Sequence, residues 1–116
     1  MKLIKENKWE ENPGYLKNIL LTQDEIKEGF KLQKVKIKRG ESVEVHHHNK
    51  QTEVIYFLTT GGQFLINNNE IDIKKGEGVV VEPGDNHRVV NNSDNCFMCL
   101  VFKIDYQPND LKWNGE

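Results

Sequence analysis

The chain has 116 residues, of which 36% are hydrophobic and 29% charged, so it fits one folded domain and not a disordered chain. The 16 lysines and arginines stand against 18 aspartates and glutamates, and the net charge of -2 gives no support for a nucleic-acid partner. No apolar run approaches the roughly 18 residues that a membrane-spanning helix needs. We therefore expect neither nucleic acid nor a membrane as a partner.

Residues 1–29 are predicted to form a lead-in to the main body of the fold. The opening MKLIKENKWE lacks the apolar core of a signal peptide, so we predict a cytoplasmic location. The apolar stretch from Tyr15 to Leu21 predicts a first strand. Thr22 and Glu25 have the spacing of a capping box and Gly29 can end a helix, so we expect a short helical turn there.

Residues 30–105 alternate short apolar stretches with turns rich in glycine, asparagine and proline. This pattern is typical of an all-β sandwich or barrel. The triplet Asn67 to Asn69 predicts a hairpin loop, because asparagine tolerates left-handed backbone. Residues 106–116 are predicted to be a C-terminal tail, and the whole chain to be one domain.

Two predicted strands are apolar on both faces, at residues 52–59 and 96–104. A small barrel buries one face by itself, so the other must meet a terminal segment, another layer or a second subunit. We predict a homodimer formed through Val54, Tyr56, Leu58 and the face carrying Phe97, Cys99 and Val101. The predicted cavity wall consists of Ile55, Phe57, Met98, Leu100 and Phe102.

The two cysteines, Cys96 and Cys99, form a CxxC motif inside a predicted strand. Residues three apart on a strand point to opposite faces, which suits neither a disulfide nor a shared metal ion. We predict that both are small core or interface residues.

The residues that carry chemistry are histidines and one glutamate. His46 and His48 are two apart on a predicted strand and so share a face, and Glu53 begins the next strand after a loop long enough for a hairpin. His87 follows the tight turn PGDN. Three imidazoles and a carboxylate suit Fe, Mn, Ni, Zn or Cu, which the sequence does not distinguish. By itself, however, such a histidine run is more often a solvated turn.

The wider spacing resembles the cupin superfamily, whose first motif reads G-x5-H-x-H-x3,4-E-x6-G. Gly40, His46, His48 and Glu53 fall in register, and the closing glycine comes one place late, at Gly61. The second motif reads G-x5-P-x-G-x2-H-x3-N. It is matched except that Glu82 holds the proline position and Pro83 follows it; the matching residues are Gly76, Gly84, His87 and Asn91.

This resemblance implies a double-stranded β-helix, or jelly-roll, barrel. It also implies that His46, His48, Glu53 and His87 are the metal ligands, that the motif glycines form turns, and that Asn91 is structural. Four protein ligands would leave two positions of a six-coordinate ion open. With a divalent ion the first shell would carry a net charge of +1, which favours a small anionic or enolisable oxygen ligand.

The function predicted from this site is that of a small metal-dependent cupin. We expect a dioxygenase-like enzyme that uses Lewis-acid or O2 chemistry on a small oxygen-rich or carboxylate-bearing molecule. Strand parity places Glu44 on the face of His46, so Glu44 is the candidate catalytic base, against the alternative of a solvated strand end. No lysine or arginine cluster surrounds the motif in the sequence, which disfavours a phosphorylated sugar. The alternative function is a non-catalytic small-molecule binding or sensing module.

Overall fold

The computed structural model describes residues 1–113, and in this range the regular structure is entirely β. No described residue belongs to a helix that would reach across a membrane. The strands, in chain order, are β1 Glu10–Asn12, β2 Tyr15–Leu21, β3 Phe30–Ile37, β4 Ser42–His48, β5 Thr52–Phe57, β6 Gln63–Ile66, β7 Asn69–Asp72, β8 Gly78–Val81, β9 His87–Val90, β10 Phe97–Ile104 and β11 Leu111–Trp113.

The strands form two antiparallel sheets. One has six strands in the order β1-β2-β3-β10-β5-β8, and the other has five in the order β11-β4-β9-β6-β7. Neighbouring strands in a sheet are often distant in sequence. For example, β3 pairs with β10 along its whole length. The all-β jelly-roll prediction is confirmed.

The core lies between the two sheets. Phe57, from the six-stranded sheet, packs against Phe64 of the five-stranded sheet, with 6.2 Å between the ring centroids. The Phe57 ring also packs against Phe97 of its own sheet, with 5.8 Å between the centroids. Ile55 and Phe57 are buried, as predicted. The other buried apolar residues of the core are Val35, Ile37, Val43, Ile73, Val81, Cys99 and Val101.

The predicted orientation of β10 is wrong. Phe97, Cys99 and Val101 are buried inside the barrel, whereas Met98 and Leu100 lie on the outer side of the sheet. Because both faces of this strand are apolar, its sequence does not say which face points inward. The register with β3 decides, since Cys99 pairs with Val35 and Val101 with Gln33, which are both buried.

The terminal segments contribute more structure than predicted. β1 pairs with β2, so the lead-in extends the six-stranded sheet, and β11 in the predicted tail pairs with β4. Residues 114–116 of that tail lie outside the described residues. Between β2 and β3, Glu25 accepts hydrogen bonds from the amide and hydroxyl of Thr22, but the segment closes as a turn and not as a helix.

The predicted turn at Asn67 and the structural role of Asn91 are present, and of the two cysteines predicted to be core or interface residues only Cys99 lies in the core. Asn67 has a φ of +52° in the loop between β6 and β7. Asn91 is buried and donates to the carbonyl oxygens of Ile37 and Asn95, both at 2.8 Å, so it ties the start of one loop to the end of β3. Cys96 is exposed and Cys99 buried, and both are free thiols. Burial raises the pKa of the Cys99 thiol, which makes it unreactive.

Candidate metal centre

Three histidines meet inside the barrel near one end of the five-stranded sheet. His46 and His48 lie on β4, and His87 opens β9 directly opposite His46. All three are buried, and one donor atom from each lies within 4.8 Å of the others. The turn before His87 is held in place because the amide of Gly84, with a φ of +87°, donates to the carbonyl oxygen of His48 at 2.7 Å.

Glu53 faces this cluster from the other sheet. The sequence suggested a hairpin between His48 and Glu53, but β4 and β5 do not pair, and the loop between them carries the chain from one sheet to the other. Glu53 Oε1 lies 2.6 Å from His48 Nε2 and 3.5 Å from His87 Nε2. The structure therefore brings together all four residues that the motifs selected.

Backbone carbonyls orient two of the imidazoles. His46 Nδ1 lies 2.8 Å from the carbonyl oxygen of Glu44, and His87 Nδ1 lies 3.0 Å from that of Asp85. A carbonyl only accepts, so in each of these contacts Nδ1 carries a proton and Nε2 is the ring atom turned to the site as a possible metal ligand. Burial, with the nearby His87 ring, lowers the pKa of His46 from 6.5 to about 4, so His46 is neutral at pH 7.

This arrangement fits a cation. Glu53 Oε1 and His48 Nδ1 are buried without a hydrogen-bond partner among residues 1–113, and a cation bound close to Oε1 would satisfy the carboxylate. Burial would raise the pKa of Glu53, but the contacts with His48 and His87 and the charge of Lys103 outweigh it and hold the pKa well below its usual range. Glu53 is thus a buried carboxylate that stays ionised, a suitable ligand for a divalent ion.

Glu44 does not occupy its predicted place on the cavity face. Its side chain is exposed, and Val43 lines the cavity instead. Val43 pairs with Val89, and His46 pairs with His87. Between these two pairs β4 has two residues where β9 has one. This extra residue is a β-bulge, which shifts the inside-outside alternation by one position. A role for Glu44 as catalytic base has no support from its position.

Several residues at the site were not found by sequence reasoning. Trp113 on β11 packs its ring 5.2 Å from that of His46. Asp110 accepts hydrogen bonds from the backbone amides of the loop that joins β4 to β5. No local pattern indicates either contact, because each residue lies about 60 positions or more after the residues it contacts.

The cavity itself is mostly apolar. Its apolar walls include Ile55, Phe64 and Phe97. Three polar residues besides the proposed metal ligands also line it, namely Tyr15, Gln33 and Lys103, and none of them was predicted to face the site. Burial, together with the charge of Glu53, raises the pKa of Tyr15, so its hydroxyl stays protonated.

Three imidazoles and a buried carboxylate inside a small jelly-roll barrel define a β-barrel protein with a candidate metal site. The Cupin domain model matches residues 33–103, and the chain belongs to this family. The resemblance drawn from the two motifs is thereby confirmed, as is a small single-domain cupin.

Individual relatives agree with this assignment. An oxalate-binding protein of Thermotoga maritima is 30% identical over 73 residues, which cover 61% of this chain and 60% of the relative. The match thus spans less than two thirds of that protein's length.

The fold has similar solved structures. A predicted oxalate decarboxylase from Thermotoga maritima superposes with a TM-score of 0.78 at 22% identity, covering 89% of this chain and 94% of the other. The polyketide cyclase RemF from Streptomyces resistomycificus has a TM-score of 0.75 at 18% identity, covering 97% and 81%. Because one barrel carries such different described functions, these likenesses show the fold alone.

Proposed function

We propose that His46, His48, Glu53 and His87 bind one divalent transition-metal ion per chain. The observation that carries this proposal is the cluster of three buried imidazoles, with the Glu53 carboxylate 2.6 Å from Nε2 of His48 and 3.5 Å from Nε2 of His87. Fe, Mn, Ni, Zn and Cu all accept such ligands. Metal analysis of protein purified without a metal-affinity column is expected to give about one ion per chain, and a content near zero after metal reloading would refute the assignment.

The proposed activity is that of a metal-dependent cupin acting on a small oxygen-rich or carboxylate-bearing molecule. Four protein ligands leave two positions of an octahedral ion for a bidentate oxygen ligand, and the net charge of +1 favours an anion. The relative named as an oxalate-binding protein supports a ligand of this class. A bound ion would supply Lewis-acid polarisation or, if it is redox-active, dioxygenase-like O2 chemistry.

One observation favours the alternative of a non-catalytic binding module. Among the described cavity-lining residues, Glu53 is the sole carboxylate, and as a metal ligand it is a poor proton acceptor. With Glu44 outside the cavity, a reaction that needs a carboxylate base has none available. The apolar walls would still exclude water and strengthen binding of an anion at the metal.

A spectroscopic titration tests the proposal. The protein is loaded with cobalt, whose visible spectrum reports its ligands, and is titrated with oxalate, tropolone and, as a control, glucose. We expect the two oxygen chelators to change the spectrum and glucose to leave it unchanged. An unchanged spectrum at millimolar chelator would mean a coordinatively closed, structural ion. Oxygen uptake by the iron or manganese form then separates an enzyme from a binding module.

We also propose a homodimer formed by the outer face of the six-stranded sheet. Val54, Tyr56 and Val80 are 38%, 49% and 57% exposed and lie side by side on β5 and β8. Leu100 and Phe102 pair with Tyr56 and Val54, so the apolar surface continues onto β10. The buried residues of β10 that the sequence suggested for this interface do not take part. The proposed partners are a small molecule and a second copy of the chain. The proposed location is the cytoplasm.

A further inference from the structure

The cavity has a polar end that the proposed metal ligands do not explain. Gln33, on β3, lines this end and is only 5% exposed. Its Oε1 is buried without a hydrogen-bond partner among residues 1–113. A buried amide oxygen is an acceptor and needs a donor, which the ammonium of Lys103 on the neighbouring strand can supply. The amide nitrogen of Gln33 is then the atom that can donate to an anionic ligand.

Lys103 places a positive charge at the same end. It lines the cavity from β10 and pairs across the sheet with Glu53 on one side and Lys31 on the other. Within the described part of the chain, its ammonium forms no ion pair and no hydrogen bond. Lys103 Nζ lies 5.3 Å from the centroid of the Tyr106 ring, which is a cation–π contact.

Two more lysines reinforce this charge. The Nζ of Lys31 lies 4.8 Å from the centroid of the same Tyr106 ring, so two ammonium groups share one aromatic side chain. Lys17 pairs with the cavity-lining Val35 and is therefore on the inner face of β2. Burial lowers the pKa of Lys103, and the negative charge of Glu53 raises it. The positive charges of Lys31 and Lys17 lower the pKa of Lys103 further. An anion at this point would relieve the repulsion among the three lysines.

We infer that Lys103 and Gln33 bind the second carboxylate of a small dicarboxylic acid whose other end binds the metal. This inference rests on the proposed function. A divalent ion with three neutral imidazoles and one carboxylate carries +1, and the ammonium of Lys103 raises the charge facing the ligand to +2, which matches a dianion. An ammonium and a side-chain amide can together donate to both oxygens of one carboxylate.

The test compares two acids with the same metal-binding head. Lactate and malate both present a 2-hydroxy acid, but malate has a second carboxylate where lactate has a methyl group. Binding of each acid is measured by spectral titration of the cobalt-loaded wild type, the Lys103→Met variant and the Lys38→Met variant. Lys38 is an exposed lysine outside the cavity, so its variant controls for the loss of one positive charge.

We expect the wild type and Lys38→Met to bind malate at least about tenfold more tightly than lactate. Lys103→Met is expected to bring the ratio near one, and because Lys103 also helps to keep Glu53 ionised, both acids are compared at saturating cobalt in every variant. A ratio in Lys103→Met equal to that of the wild type would overturn the inference and leave the metal site standing. A wild-type spectrum that neither acid changes would refute the proposed function as well.

Gln33→Leu gives a second, independent measurement, which also serves if Lys103→Met does not fold. It keeps the lysines and removes the amide, and we expect the malate-to-lactate ratio to fall severalfold with lactate affinity unchanged. Lys103→Arg retains the charge and is expected to retain most of the preference for malate. A Gln33→Leu protein with the wild-type ratio would remove Gln33 from the subsite.

Discussion

Asp110 Oδ2 accepts a hydrogen bond from the backbone amide of Gln51 at 3.0 Å, and this contact closes the loop between two of the proposed metal ligands. The same carboxylate accepts from the amides of Asn49 at 3.0 Å and Lys50 at 2.9 Å. The loop changes sheets immediately before Glu53, so its conformation determines how far Glu53 lies from His48. Asp110 is therefore a positioning residue for the site, although it lies outside the cavity.

Replacing this carboxylate should weaken metal binding. For Asp110→Ala we expect metal affinity to fall by about tenfold, as for other groups that orient ligands, and the free energy of unfolding to fall by about 1–3 kcal/mol. Competition with a chromophoric chelator measures the affinity, and urea denaturation the stability. Asp94→Ala, at an exposed position in the turn before β10, is the matched control. Equal metal affinity in both variants would show that Asp110 has no effect on the ligands.

Removing two imidazoles should remove the metal. In the double variant His48→Ala, His87→Ala we expect metal content to fall from about one ion per chain to below about one tenth. His47→Ala is the control, since His47 is on the same strand but does not line the cavity. In a metal-loaded crystal, the histidine–metal distances are expected to be about 2.0–2.2 Å. A double variant with wild-type metal content would disprove the ligand set.

The metal-free protein should lose stability as the solution becomes mildly acidic. The pKa of His46 is lowered from 6.5 to about 4 in the folded state, mainly by burial, so between these values the unfolded chain binds the extra proton. The free energy of unfolding should therefore rise from pH 4 to pH 6.5, by up to about 3 kcal/mol from this residue. Urea denaturation at several pH values measures the slope.

His46→Asn is the comparison for this pH effect. It removes the titrating ring, so its free energy of unfolding should change less between pH 4 and pH 6.5 than that of the wild type. Both proteins are measured in excess chelator, because bound metal would add its own pH dependence. Identical slopes would mean that His46 is not the residue that couples folding to protons in this range.

A charge on the outer face of the six-stranded sheet should dissociate the proposed dimer. We expect the wild type to sediment at twice the chain mass of 13.5 kDa with more than about 1,000 Å² buried in the interface. Val80→Asp should weaken the dimer by at least about tenfold, because it would bury an unpaired carboxylate. Ile26→Asp, at an exposed apolar residue away from this face, should not. A wild-type species of 13.5 kDa at micromolar concentration would exclude the dimer.

The sequence by itself determined most of the strands and selected the four residues of the proposed ligand set. Strand β2 runs from Tyr15 to Leu21 as predicted, because local hydrophobicity and turn residues define such a strand. His46 and His48 share the cavity because both follow the β-bulge, where the two-residue alternation holds without interruption. Glu53 and His87 were identified by their spacing in the two motifs, although the predicted hairpin to Glu53 was replaced by a crossing between sheets.

Only the tertiary structure decided which residues face the cavity wherever the local pattern was ambiguous or broken. The bulge in β4 turned Glu44 outward, and pairing with β3 turned Val101 inward from a strand that is apolar on both faces. The position of Lys103 on the cavity wall also comes from tertiary structure, since β10 lies between β3 and β5 only after folding. Pairing of distant strands depends on the free energy of the whole sheet, and no short stretch of sequence contains that information.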